Sequence, residues 1–124
     1  MQIITTPNAP GNPALYSQAV VTGNLVFCAG QIPACPVTGD IVGGGIREQT
    51  EQVIRNVAAV LNAAGSGIDR VVKATCFLTT MDDFADFNEV YARYFHGKPA
   101  RTTVAAAGLP RGVRVEIETV AELK

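Results

Sequence analysis

IREQTEQVIRNVAAVLNAAG, residues 46–65, decides what kind of fold this chain can adopt. Ile46, Val53, Ile54, Val57, Val60, Leu61 and Ala64 recur at helical spacing, so they share one face and predict an amphipathic helix. A helix with one apolar face must lie on another apolar surface, and Gly65 stands where a left-handed cap would end it. Upstream, Gly43-Gly44-Gly45 lacks the Lys-Ser/Thr of a P-loop and the spacing of a dinucleotide fingerprint, so it reads as loop.

The surface for that helix is supplied on both sides. VVKATCFLTT, residues 71–80, predicts a strand with Val72, Ala74, Cys76 and Leu78 on an apolar face and Val71, Lys73, Thr75 and Phe77 on a mixed one. Thr80-Met81-Asp82-Asp83 has the pattern of a helix start. The helix that follows places Phe84, Phe87, Tyr91, Tyr94 and Phe95 on its buried side, where an aromatic stripe reads as core. Gly97 and Pro99 close it, with His96 as a polar residue at its C-terminal end. Before the first helix, SQAVVTGNLVFCAG (17–30) predicts a β-hairpin turning at Thr22-Gly23-Asn24, and QIPACPVTGDIVGGG (31–45) predicts loop. Strands at about 102–107 and 113–121 finish the chain.

The order is hairpin, helix, strand, helix, two strands, which implies one α+β domain over residues 1–124. Two helices cover only one face of such a sheet. In LVFCAG both alternating sets, Leu25/Phe27/Ala29 and Val26/Cys28, are apolar or small. The second face therefore needs a cover, and further copies of the chain are the simplest one. Composition agrees: 48% of residues are hydrophobic and only 17% charged, little charge for a small monomer to solvate itself with.

Net charge is −1 with no basic stripe, so the footprint of a nucleic-acid or anionic-membrane partner is missing. No apolar run is long enough to span a bilayer. MQIITTPNAP has neither the basic start nor the apolar stretch of a signal peptide. Cys28, Cys35 and Cys76 are odd in number and form no CxxC pair, which predicts reduced thiols in a cytoplasmic protein. With His96 the only histidine, a Cys/His metal site is not expected.

The last strand carries the most suggestive chemistry. Val113, Val115, Ile117 and Thr119 share one face; Arg114, Glu116 and Glu118 share the other. If the helices take the apolar set, the acids lie on the second face, and Arg101 at the mouth of the adjoining strand is within reach of them. A carboxylate removed from water needs a partner or a proton. Alternating charge also describes an ordinary solvated strand face with a weak surface ion pair, so the residues alone leave both readings open.

GQIP at 30–33, IREQTEQVIRNV, VVKATCFL followed by DDFADFNEVYARYF, PARTTV and VRVEIE occur together in this order. From about Tyr16 to Ala121 the chain resembles the reactive-intermediate deaminase (Rid, or YjgF) family, and most closely its enamine/imine deaminase branch. The resemblance implies a chorismate-mutase-like mixed β-sheet with two helices on one face. It also implies a homotrimer with sites in the clefts between subunits, and neither metal nor organic cofactor. The substrates implied are small 2-enamino and 2-imino acids, namely 2-aminoacrylate with its tautomer 2-iminopropanoate, and 2-iminobutanoate. They are hydrolysed to 2-keto acids and ammonia.

By the same resemblance, Arg101 grips the substrate carboxylate, Glu116 holds or activates the attacking water, and the backbone of Gly30 lines the pocket. Tyr16, Asn88 and Thr103 are matched substrate-binding positions, and Glu118 matches a second acid without a catalytic task. The chain departs from the family at Ala14-Leu15 (often Gly-Pro), at Thr103 (usually Cys or Ser) and at Ala29 (commonly Ser). A thiol at position 103 is thus not essential. Two other readings compete: a non-catalytic trimer that binds small carboxylates, and an RNA-cleaving activity attributed to some family members, against which the missing basic stripe and histidine pair weigh.

Overall fold

The computed structural model covers all 124 residues. Its elements are β1 (Gln2–Ile4), β2 (Ala19–Thr22), β3 (Leu25–Gln31), α1 (Ile46–Ala63), β4 (Val71–Leu78), α2 (Phe84–Ala92), β5 (Ala100–Ala105) and β6 (Val115–Glu122). They form one six-stranded sheet in the order β1-β2-β3-β6-β4-β5. β4 and β5 are parallel and every other pair is antiparallel, so the sheet is mixed. The expected α+β architecture is what the chain adopts.

Local signals act where they were expected. Gly23 takes φ +56 in the two-residue turn between β2 and β3, a conformation glycine adopts without steric cost. After α1, Gly65 at φ +84 lets its own N–H reach Asn62 O (3.1 Å) and lets Ser66 N–H reach Leu61 O (2.9 Å). Both bonds satisfy carbonyls that the helix end leaves free. Thr80 Oγ1 accepts from Asp82 N–H at 3.1 Å, starting a short 3₁₀ turn that runs into α2.

Three features differ from expectation. β1 is too short to show alternation in sequence and exists through its pairing with β2. α2 ends at Ala92, well before Gly97, and the positive φ falls on Lys98 (52°). Tyr94 and Phe95 N–H both turn back onto Tyr91 O, which keeps Phe95 buried. Finally, the pairing of β4 with β6 slips between Val71 and Lys73, a β-bulge that puts Val71 in the core and leaves Val72 38% exposed.

α1 lays Val53, Ile54, Val57, Val60 and Leu61 against Val26, Ala74, Cys76, Leu78, Val115 and Ile117, all in one buried cluster. Burying each such side chain stabilises by about 1.5–3 kcal/mol, so Leu61→Ala should cost about 2–5 kcal/mol. The opposite face of the sheet carries no helix. Phe27 (45% exposed) and Val104 (42%) stand on it, together with Glu116 and Glu118.

Candidate active site

β6 positions Glu116. Its neighbours Val115 and Ile117 are fully buried beneath the helices, so alternation aims the glutamate at the open face. Across from it, β3 carries a bulge: Cys28 pairs with Thr119 but Gln31 with Ile117, which inserts a residue around Ala29-Gly30. The Glu116 carboxylate fills the space a side chain at position 30 would need. A Cβ there would overlap Glu116 Oε2 and stand 3.0 Å from its Cδ. Gly30 is thus required by close approach, not by a special φ. Burial, and secondarily the charge of Glu118, push the Glu116 carboxyl above the usual carboxylate range.

Gly30 also lines a cavity with Tyr16, Asn12, Gln31, Cys35 and Arg111. Tyr16 is 47% exposed, and its loop is a turn in which Leu15 and Tyr16 N–H both bond Asn12 O (2.9 and 3.1 Å). With Ala14-Leu15 in place, the turn sets Tyr16 on the cavity that Gly30 lines.

Arg101 lies elsewhere. β5 pairs with β4 in register, Arg101 beside Ala74 and Thr103 beside Cys76, and both partners are fully buried on the helix side. Arg101 accordingly stacks on α2: its Cζ is 4.7 Å from the Tyr91 ring centre and 5.7 Å from those of Phe84 and Phe87. The chain's ion pairs use Arg47, Arg55 and Arg114. Arg101 has no carboxylate partner. Asn88 Oδ1 and Tyr91 OH, on the same helix stripe, are enclosed without a hydrogen-bond partner, and Thr103 Oγ1 is enclosed beside the Cys76 thiol.

One expectation is therefore corrected. β5 adjoins β4, not β6, and Arg101 and Glu116 face opposite sides of the sheet. Within one chain the structure sets Gly30 against Glu116, with Tyr16 on the cavity that Gly30 lines, and separately places Arg101 and Thr103 on the helix side of β5, with Asn88 on the adjoining helix stripe. Glu118 stands exposed two residues from Glu116. His96 is exposed beyond α2, and no three His, Cys, Asp or Glu side chains gather as for a metal. The three cysteines are free; burial raises the thiols of Cys28 and Cys76, the latter to about 11. No helix is long and apolar enough to cross a membrane.

Three buried polar residues escaped the sequence reading, although they fix the site's backbone. Asn56 on α1 donates to Ile32 O (3.0 Å) and Ala34 O (2.9 Å), holding the loop after Gly30. Gln49 Oε1 accepts from Arg114 N–H at 2.8 Å, anchoring the start of β6, and Arg114 pairs with the buried Asp83 (2.7 Å). Gln18 accepts from Thr6 N–H (2.7 Å) and donates to Ala9 O (2.9 Å), tying down the segment before Tyr16. The only sequence signal was polar residues interrupting apolar faces, which exposure explains equally well.

The family model described as Endoribonuclease L-PSP matches residues 6–123. A RutC family protein of Pyrococcus horikoshii is 50% identical over 121 residues, covering 97% of this chain and 96% of its own. The 2-iminobutanoate/2-iminopropanoate deaminase of Mus musculus is 42% identical over 121 residues, covering 97% and 90%. The crystal structure of E. coli TdcF with bound serine matches with a TM-score of 0.94 at 40% identity, covering 100% of both chains. The chain belongs to this L-PSP family, the Rid (YjgF) family that its motifs resemble.

Proposed function

We propose that the protein hydrolyses small 2-imino acids, and the 2-enamino acids that tautomerise to them, to 2-keto acids and ammonia. The observation that carries this reading is Arg101: a half-buried guanidinium stacked on aromatic rings, without an internal counter-ion, is suited to a ligand carboxylate. The mouse relative named as an imine deaminase and the serine bound by TdcF point to the same ligand class, a carboxylate with nitrogen on the next carbon.

The arginine group and the glutamate group lie on opposite sides of one sheet, so one small molecule cannot touch both in a monomer. We place the complete site between copies in a homotrimer: Arg101, Asn88 and Thr103 of one subunit facing Glu116, Gly30 and Tyr16 of the next. The same assembly covers the helix-free face.

In this site Arg101 fixes the carboxylate and leaves the imine carbon open. As a water oxygen bonds to the carbon of the protonated imine, Glu116 takes one water proton and the C=N electron pair moves to nitrogen, giving a neutral amine and a hydroxyl on the same carbon. Glu116 then gives its proton to the amine, the C–N bond breaks and ammonia leaves, and as C=O forms the hydroxyl proton passes to the Glu116 carboxylate, which releases it to solvent. A carboxyl with a raised pKa is the stronger base, and positioned proton transfer is worth about 10²–10⁴-fold. No cofactor takes part in these steps. Keto-acid release from freshly generated 2-aminoacrylate, above the rate in buffer, tests the proposal. Tight carboxylate binding without added turnover would instead identify a non-catalytic binding protein.

A further inference from the structure

Tyr91 takes part in neither group of matched site residues, yet it is the closest aromatic contact of Arg101. Its ring stacks on Phe95 (centres 4.2 Å apart, planes 9° off parallel) and packs at a tilt on Phe87 (5.7 Å). The residue is 9% exposed, and its hydroxyl has no hydrogen-bond partner. A purely structural tyrosine normally satisfies its hydroxyl. Here the unpartnered hydroxyl belongs with the amide oxygen of Asn88, one helical turn before Tyr91, which is enclosed without a partner as well. Two unpartnered polar atoms on the helix stripe that holds an unpaired guanidinium mark a place built for a ligand.

Arginine has a long flexible stem, and nothing polar in the chain orients this one. Only the rings of α2 hold its position. We propose that Tyr91 is a positioning residue for carboxylate capture, its ring holding the Arg101 guanidinium where two parallel N–H groups can meet a carboxylate. The inference rests on the reading of Arg101 as the carboxylate clamp. Attraction between a cation and a ring face depends on electron density in the ring, not only on its shape. A packing role does not.

That difference supplies the test, with 2-oxobutanoate as probe and calorimetric Kd as readout. Tyr91→Phe keeps the ring and is the reference for a graded series. Replacing that phenylalanine by its mono-, di- and trifluorinated analogues should raise Kd stepwise, by about tenfold over the series. Tyr91→Leu should weaken binding similarly, but not when Arg101 is already Ala. Should Tyr91→Leu fail to fold, the fluorinated series decides alone. A flat series in a protein that binds 2-oxobutanoate overturns the role of Tyr91 and leaves the carboxylate clamp standing. No binding by the parent chain overturns the clamp, and Tyr91 with it.

Discussion

Arg101 and Glu116 stand on opposite faces of the same sheet, on strands separated by β4. Sharing a substrate therefore requires two copies of the chain. Sedimentation at low micromolar concentration should show a homotrimer. A predominantly monomeric protein would end the intersubunit proposal.

Gly30→Ala is the smallest change that should disable the glutamate. The new methyl group would occupy the volume of Glu116 Oε2, and the carboxylate must move away. Misplacing a reacting group by about 1 Å costs on the order of 10²-fold. Keto-acid release should fall by that order while the melting temperature changes little, because the methyl meets a movable side chain.

Glu116→Gln should lower turnover by about 10²–10⁴-fold while small carboxylates still bind. Glu118→Gln is the matched control and should have the smaller effect. Equal rates for parent and Glu116→Gln would return Glu116 to an ordinary strand-face acid.

The acid pair also predicts a pH dependence. In the proposed mechanism Glu116 acts as carboxylate, so kcat/KM should fall as pH drops through its raised pKa. Glu118→Gln removes a like charge, lowers that pKa and should move the acidic limb to lower pH. Stability runs the other way. A carboxyl raised by folding keeps its proton where the unfolded chain has lost it, so its stabilising contribution is present at low pH and lost as pH rises through the raised value. Urea melts of parent and Glu116→Gln across this window should differ in that slope.

Arg101→Lys keeps the charge but replaces a planar fork by a single point charge. Losing one charge-assisted hydrogen bond costs about 1.5–3 kcal/mol, or about ten- to more than a hundredfold in deamination. The fold should survive, since Arg101 stands near the start of an edge strand and outside the apolar core. Near-parent activity in an intact oligomer would remove Arg101 from the mechanism.

What the sequence determined by itself was local and periodic. The faces of α1 and β6, the turn at Gly23, the caps at Gly65 and Thr80, and the outward aim of Glu116 follow from spacing and from residues whose conformations few others tolerate. The motif order of the chain also carried the family. Tertiary structure decided what depends on neighbours distant in the chain. β4 inserts between β5 and β6, a pairing no local pattern encodes, and this parts Arg101 from Glu116. Two bulges shift strand registers, one putting Val71 in the core and the other bringing Gly30 against Glu116. Asn56, Gln49 and Gln18 look like surface residues until their backbone partners arrive from 22 (Asn56–Ala34), 65 (Gln49–Arg114) and 12 (Gln18–Thr6) residues away. Periodicity reports which face a residue occupies. Which other residue it meets there is set by the packing of the whole sheet.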